Sequence, residues 1–139
     1  MKERDERTDH IQSLRSRLLQ GIVDSMQDAC YIVNPADAKA KTAPHILNIA
    51  FPPSDGESMD GEMLILNMDM EGICVSSGSA CTSGAIEPSH VLLAIGLDRE
   101  TASAAVRFSI GKDNTEEEID YTVEKLTSVV DRMRNRVRV

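Results

Sequence analysis

Two long apolar repeats at helical spacing bracket this chain, and they restrict its fold more than any other feature. Over residues 5–26, Ile11, Leu14, Leu18, Ile22 and Met26 recur at steps of three and four, the stripe of an amphipathic helix. Near the other end, Thr115 followed three residues later by Glu118 forms a capping signal. Behind it, Ile119, Val123, Leu126, Val129, Val130 and Met133 line one side of a second long helix. Each stripe needs an apolar partner, and the sequence between them supplies short candidates. Residues 30–33, 46–51 and 106–110 read as strands, and Ile73-Cys74-Val75 as a very short one. Asn34-Pro35 reads as the turn that ends the first strand. Residues 61–71 and 90–95 read as helices, with Gly72 and Gly96 as their stops, and 99–104 as a further turn or two. Within 61–71, Met63, Leu64, Leu66, Met68 and Met70 are expected to supply apolar surface. The order predicts a single α/β domain over residues 1–139, a two-layer α+β arrangement with helices packed on a small mixed β-sheet. Only 3% of residues are aromatic, so the core must be aliphatic and methionine-rich.

Charge and cysteine usage narrow the function classes. A net charge of −8 argues against general nucleic-acid binding, which needs a basic stripe to displace counterions. The clustered Arg15, Arg17, Arg132, Arg134, Arg136 and Arg138 lie in helical segments among acids and read as solvated helix faces. No apolar run approaches the roughly 20 residues of a membrane helix. The charged N-terminus resembles neither a signal nor a transit peptide, and a cytoplasmic protein is expected. Three cysteines at irregular spacing, Cys30, Cys74 and Cys81, make neither a disulfide framework nor a metal set.

The segment Ser76-Ser77-Gly78-Ser79-Ala80-Cys81-Thr82-Ser83-Gly84 consists of small residues throughout. It has little apolar area to bury, and a mobile loop is expected. Cys30 and Cys74 have apolar neighbours and are expected to be buried and inert, whereas Cys81 has none and reads as an exposed thiol. Three readings stay open on the residues alone: a surface loop that happens to hold a cysteine, an anion-binding nest, or a thiol on a moving arm. The absence of a lysine from the segment speaks against a phosphate loop.

The same segment, continued by Glu87-Pro88-Ser89-His90-Val91-Leu92, resembles the active-site loop of cysteine desulfurases. The likeness is to the nitrogenase and iron–sulfur cluster assembly branch of the class V aminotransferase superfamily. His45-Ile46-Leu47-Asn48-Ile49-Ala50-Phe51-Pro52, Val106-Arg107-Phe108-Ser109-Ile110-Gly111 and Thr115-Glu116-Glu117-Glu118-Ile119-Asp120-Tyr121 agree in order and spacing, and the likeness runs over about residues 9–134. It implies the C-terminal small domain of a fold-type I pyridoxal-phosphate enzyme. It also implies conversion of L-cysteine to L-alanine, with the sulfur left as a persulfide on Cys81, the catalytic residue. Arg107 matches the family's substrate-carboxylate arginine, a task suited to its planar fork. His90 sits among apolar residues and reads as structural. The resemblance implies no resident metal site, with Cys81 at most a transient iron–sulfur ligand.

The family's cofactor domain, with its Schiff-base lysine and phosphate cup, has no counterpart here, so the lone chain is expected to bind no pyridoxal phosphate and to be inactive. The implied partners are L-cysteine, a pyridoxal-phosphate-binding large domain, an iron–sulfur scaffold or other sulfur acceptor, and a second copy in a homodimeric full enzyme. A free-standing persulfide-accepting module and a split-enzyme subunit are the alternatives. A purely structural oligomerisation domain fits less well, because both Cys81 and Arg107 are present.

Overall fold

The computed structural model describes residues 1–35, 41–77 and 87–135. Its elements are α1 (Lys2–Ser25), β1 (Ile32–Asn34), β2 (Ile46–Ala50), α2 (Gly61–Met70), α3 (His90–Ala94), α4 (Arg99–Ser103), β3 (Ala105–Ser109) and α5 (Glu116–Asn135). The two long apolar stripes find each other: α1 and α5 pack side by side, burying Leu14, Leu18 and Ile22 of one and Ile119, Val123, Leu126, Val129 and Val130 of the other. Gly21 lies at this contact, where an added Cβ would stand 2.7 Å from Val123 Cγ2.

Beneath this helix pair lies a three-stranded sheet in the order β1-β2-β3. Both pairings are antiparallel, so the sheet is not the mixed one expected. Period-two alternation separates its faces. Leu47, Ile49, Val106 and Phe108 turn towards α1, α2 and α5 and join one core with Phe51, Leu64 and Met68. On the opposite face, Ala50 and Ala105 are small enough for α3 and α4 to approach, and they share a second cluster with Leu92 and Ala102.

Caps and arginines fix the ends of the elements. Thr115 Oγ1 accepts from the Glu118 amide at 3.2 Å while Glu118 Oε2 accepts from the Thr115 amide at 3.2 Å, the reciprocal box expected from sequence. Asp60 caps α2 through the Met63 amide, and Asp98 caps α4 through the Thr101 amide and hydroxyl. The arginines do more than solvate a helix face. Arg17 grips Asp120 with two bonds of 2.7 and 2.8 Å, tying α1 to α5. Arg15 donates to the Ile46 carbonyl at 2.7 Å and Arg134 to that of Pro52 at 2.8 Å. Arg136 and Arg138 lie outside the described residues.

These contacts hold three carboxyls below their ordinary range. The Thr101 amide and hydroxyl lower Asp98, the Asn114 side chain and Thr115 amide lower Glu118, and the Arg17 guanidinium lowers Asp120. A carboxyl depressed in the folded state adds stability that is complete above its unfolded value, 3.8 for Asp and 4.5 for Glu, and is lost as pH falls through the folded value. The melting temperature should therefore drop between about pH 5 and about pH 3, and the Asp98→Asn, Asp120→Asn double variant should show a shallower drop. Thermal melts followed by circular dichroism across that range provide the check. Equal slopes for both proteins would remove these contacts from the acid response.

Candidate functional site

Antiparallel register assembles a polar row on the sheet face that α3 and α4 share. Asn34 pairs with Asn48, Asn48 with Arg107, and Arg107 with Ser76, which forms an isolated bridge at the outer edge of β3. Residues directly opposite across antiparallel strands project to the same side. Four polar side chains from four segments therefore cross the face in line, two residues along from the alanines that α3 and α4 cover.

The row is held from both ends. Asn34 is buried at 6% exposure, and its Nδ2 donates to Asn48 Oδ1 at 2.7 Å. At the other end, the Arg107 amide donates to the Ser76 carbonyl at 2.7 Å and the Ser76 amide to the Arg107 carbonyl at 3.2 Å. Asn34 Oδ1, Ser76 Oγ and Arg107 Nε are each buried without a hydrogen-bond partner. All three belong to this row, whereas the buried hydroxyl of Thr101 is satisfied by Asp98. Arg107 lies in the middle of β3 and makes no ion pair among the described residues, so it is not a strand-end arginine in a surface pair.

The thiols are arranged differently from expectation. Cys81 lies outside the described residues, as does most of the small-residue segment beyond Ser76 and Ser77. Cys30 and Cys74 are both exposed, not buried. Cys30 precedes β1 instead of pairing within it. Ile73-Cys74-Val75 is not a strand: only Ser76 after it bridges to β3, and Cys74 turns outward between half-buried Ile73 and Val75. His90 is exposed at the start of α3. Sequence places Asn34 in a turn, Asn48 in a strand and Ser76 at the head of the small-residue segment, and gives none of them a link to Arg107. They are distant along the chain, and only the strand register brings them together.

No described lysine is placed to hold pyridoxal phosphate. Lys112 pairs with Asp113 at 2.9 Å, and Lys125 pairs with Glu71 at 3.5 Å while lying 5.3 Å from the Tyr121 ring centre. Lys2 and Lys41 are exposed, and none of the four belongs to the polar row. The described residues thus do not fit the cofactor by themselves. A cleft of about 730 Å³ between the ends of α1 and α5 is lined by Asp24, Asp28, Cys30 and Asp131 among others and does not include the row.

Known proteins resemble this chain in sequence and in fold. The cysteine desulfurase IscS of Pseudoalteromonas translucida (strain TAC 125) is 46% identical over 125 residues, covering 90% of this chain and 28% of that protein. The IscS of Proteus mirabilis (strain HI4320) is 42% identical over 134 residues, covering 96% of this chain and 30% of that protein. The chain thus spans under a third of the length of these relatives. Among solved structures, a NifS-like protein superposes with a TM-score of 0.70 at 30% identity, covering 94% of this chain and 30% of that one. A NifS-like protein from Rickettsia africae ESF-5, at 22% identity and a TM-score of 0.68, shares the fold. The sequence model for aminotransferase class-V matches residues 2–122, which take in the sheet, the polar row and Arg107, and on that match the chain belongs to the class V aminotransferase family.

Proposed function

We propose that this chain forms the small-domain part of a pyridoxal-phosphate-dependent cysteine desulfurase. In the proposed reaction, L-cysteine and the Cys81 thiol yield L-alanine and a persulfide on Cys81, whose terminal sulfur passes to an iron–sulfur scaffold or another acceptor. Arg107 holds the substrate carboxylate. Pyridoxal phosphate would be supplied by a large domain like the part of the relatives that this chain does not match, and the complete enzyme is a homodimer.

One observation carries the reading. Arg107 and Ser76 exchange two backbone hydrogen bonds, and Ser76 opens the small-residue segment that carries Cys81. The residue assigned to the substrate and the residue assigned to the sulfur thus belong to segments tied at one point on the sheet. The orphaned Nε of Arg107 supports the same reading, because a guanidinium flanked by amides and a hydroxyl, with no counter-charge paired to it among the described residues, suits a carboxylate brought from outside.

The test joins this chain to the cofactor domain of a cysteine desulfurase relative and measures alanine release from L-cysteine. Arg107→Lys keeps the charge and loses the fork, so KM for L-cysteine should rise by about tenfold or more. Unchanged kinetics in that variant would remove Arg107 from the substrate site.

A further inference from the structure

Buried polar atoms without partners are uncommon, and each costs about 1–3 kcal/mol of desolvation. Here two of them, Arg107 Nε and Ser76 Oγ, stand on residues directly opposite each other on one sheet face. The Cβ atoms of such a pair lie about 5 Å apart. Nε–H can only donate, and the hydroxyl can donate as well. Two adjacent donors, one of them cationic, match the two oxygens of one carboxylate.

From this juxtaposition we propose that Ser76 is a second direct contact for the substrate carboxylate, sharing it with Arg107. The proposal rests on the reading of Arg107 above and adds a residue to it. Arg107 supplies charge and direction, and the Ser76 hydroxyl takes the oxygen nearest the edge of β3. The paired backbone bonds between the two residues fix the spacing of the donors without using either side chain. Asn48 borders Arg107 on its other side and is fixed by Asn34 at 2.7 Å, so this pair limits where the guanidinium can swing. The pair is assigned to positioning, not contact. Neighbouring strands are about 4.8 Å apart, so Asn34, two strands from Arg107, stands about 10 Å away, beyond the reach of a small amino acid held at the arginine.

The experiment uses the 139-residue chain itself, labelled with nitrogen-15. L-alanine is the carboxylate probe and ethylammonium the control that keeps the amine and lacks the carboxylate. Saturable shifts of the Ser76 and Asn48 backbone amide signals are expected with L-alanine at tens of millimolar, and none with ethylammonium. Ser76→Ala should weaken L-alanine binding by about tenfold, the worth of one hydrogen bond to a charged group. Ser76→Thr, which keeps the hydroxyl, should restore it. The Asn48 amide reports in all three proteins, and the melting temperature of Ser76→Ala shows whether its fold is kept. Arg107→Lys separates the two ideas. If that variant binds L-alanine as the parent does, the reading of Arg107 falls. If Arg107→Lys weakens binding while Ser76→Ala does not, Arg107 stands and Ser76 is excluded. Absence of any shift at saturating L-alanine overturns the shared seat.

Discussion

Replacing Cys81 with serine should abolish both persulfide formation and alanine release when the chain is joined to a desulfurase cofactor domain and given L-cysteine. The drop should span several orders of magnitude, because a serine hydroxyl is a far poorer nucleophile towards sulfur than a thiolate, and losing a nucleophile removes the covalent route altogether. Accessibility cannot make this assignment, since Cys30 and Cys74 are themselves exposed. A thiol alkylator applied to the folded chain should modify both, so labelling alone does not mark the sulfur carrier. The decisive measurement is the mass of each cysteine-bearing peptide after turnover with L-cysteine, with persulfides trapped by alkylation. Added sulfur should appear on the Cys81 peptide alone. Cys30→Ser and Cys74→Ser should leave turnover intact and change stability by no more than about 0.5 kcal/mol, as is usual for surface positions. Normal activity in Cys81→Ser, or sulfur accumulating on Cys30 or Cys74, would overturn the proposed chemistry at its centre.

The amount of this site that can be read from sequence follows the physics of each element. The end helices are legible because their stripes are long and regular, and the Thr115–Glu118 box is legible because capping is local. Apolar content on the shorter helix 61–70 is a weaker guide. Of its five large apolar candidates, Leu64 and Met68 are buried, while Met63, Leu66 and Met70 remain exposed. The triplet around Cys74 shows why short runs mislead: three apolar residues satisfy a strand pattern without obtaining a ladder, and apolar neighbours in sequence do not bury a thiol. Asn34 shows the reverse. An Asn-Pro pair signals a turn, yet the residue before proline favours extended backbone, and Asn34 stays in register with Asn48 as the last residue of its strand. The polar row depends on strand register across segments far apart in the chain, which local sequence does not encode. Arg107 could be singled out through its family resemblance, and its companions Asn34, Asn48 and Ser76 only through the fold.

Gly61→Ala should be among the most destabilising single-methyl changes in the chain, costing about 3 kcal/mol, the upper end for forced overpacking. Gly61 opens α2 directly behind the Asp60 cap, and a Cβ there would collide with the Ser103 carbonyl oxygen and stand 3.2 Å from Ala104 Cα. Both neighbours are backbone, at the junction of α4 and β3, and cannot rotate away as a side chain would. Helix propensity pulls in the opposite direction, since alanine exceeds glycine by about 1 kcal/mol within a helix, but that gain is smaller than the clash. Two other glycines separate the causes. At Gly21 the obstacle is the Val123 side chain, which can yield, so Gly21→Ala should cost less. At Gly72 nothing lies within 4 Å, but φ is +78°, so Gly72→Ala should cost about 1–2 kcal/mol through backbone strain alone. Urea unfolding of the three variants should place Gly61→Ala lowest in midpoint. Because Ser103 leads into the strand that carries Arg107, the same variant should also weaken L-alanine binding. A Gly61→Ala protein as stable as the parent would mean that α2 can move away from the α4–β3 junction without cost, and the close backbone approach would then have no part in holding Arg107 in place.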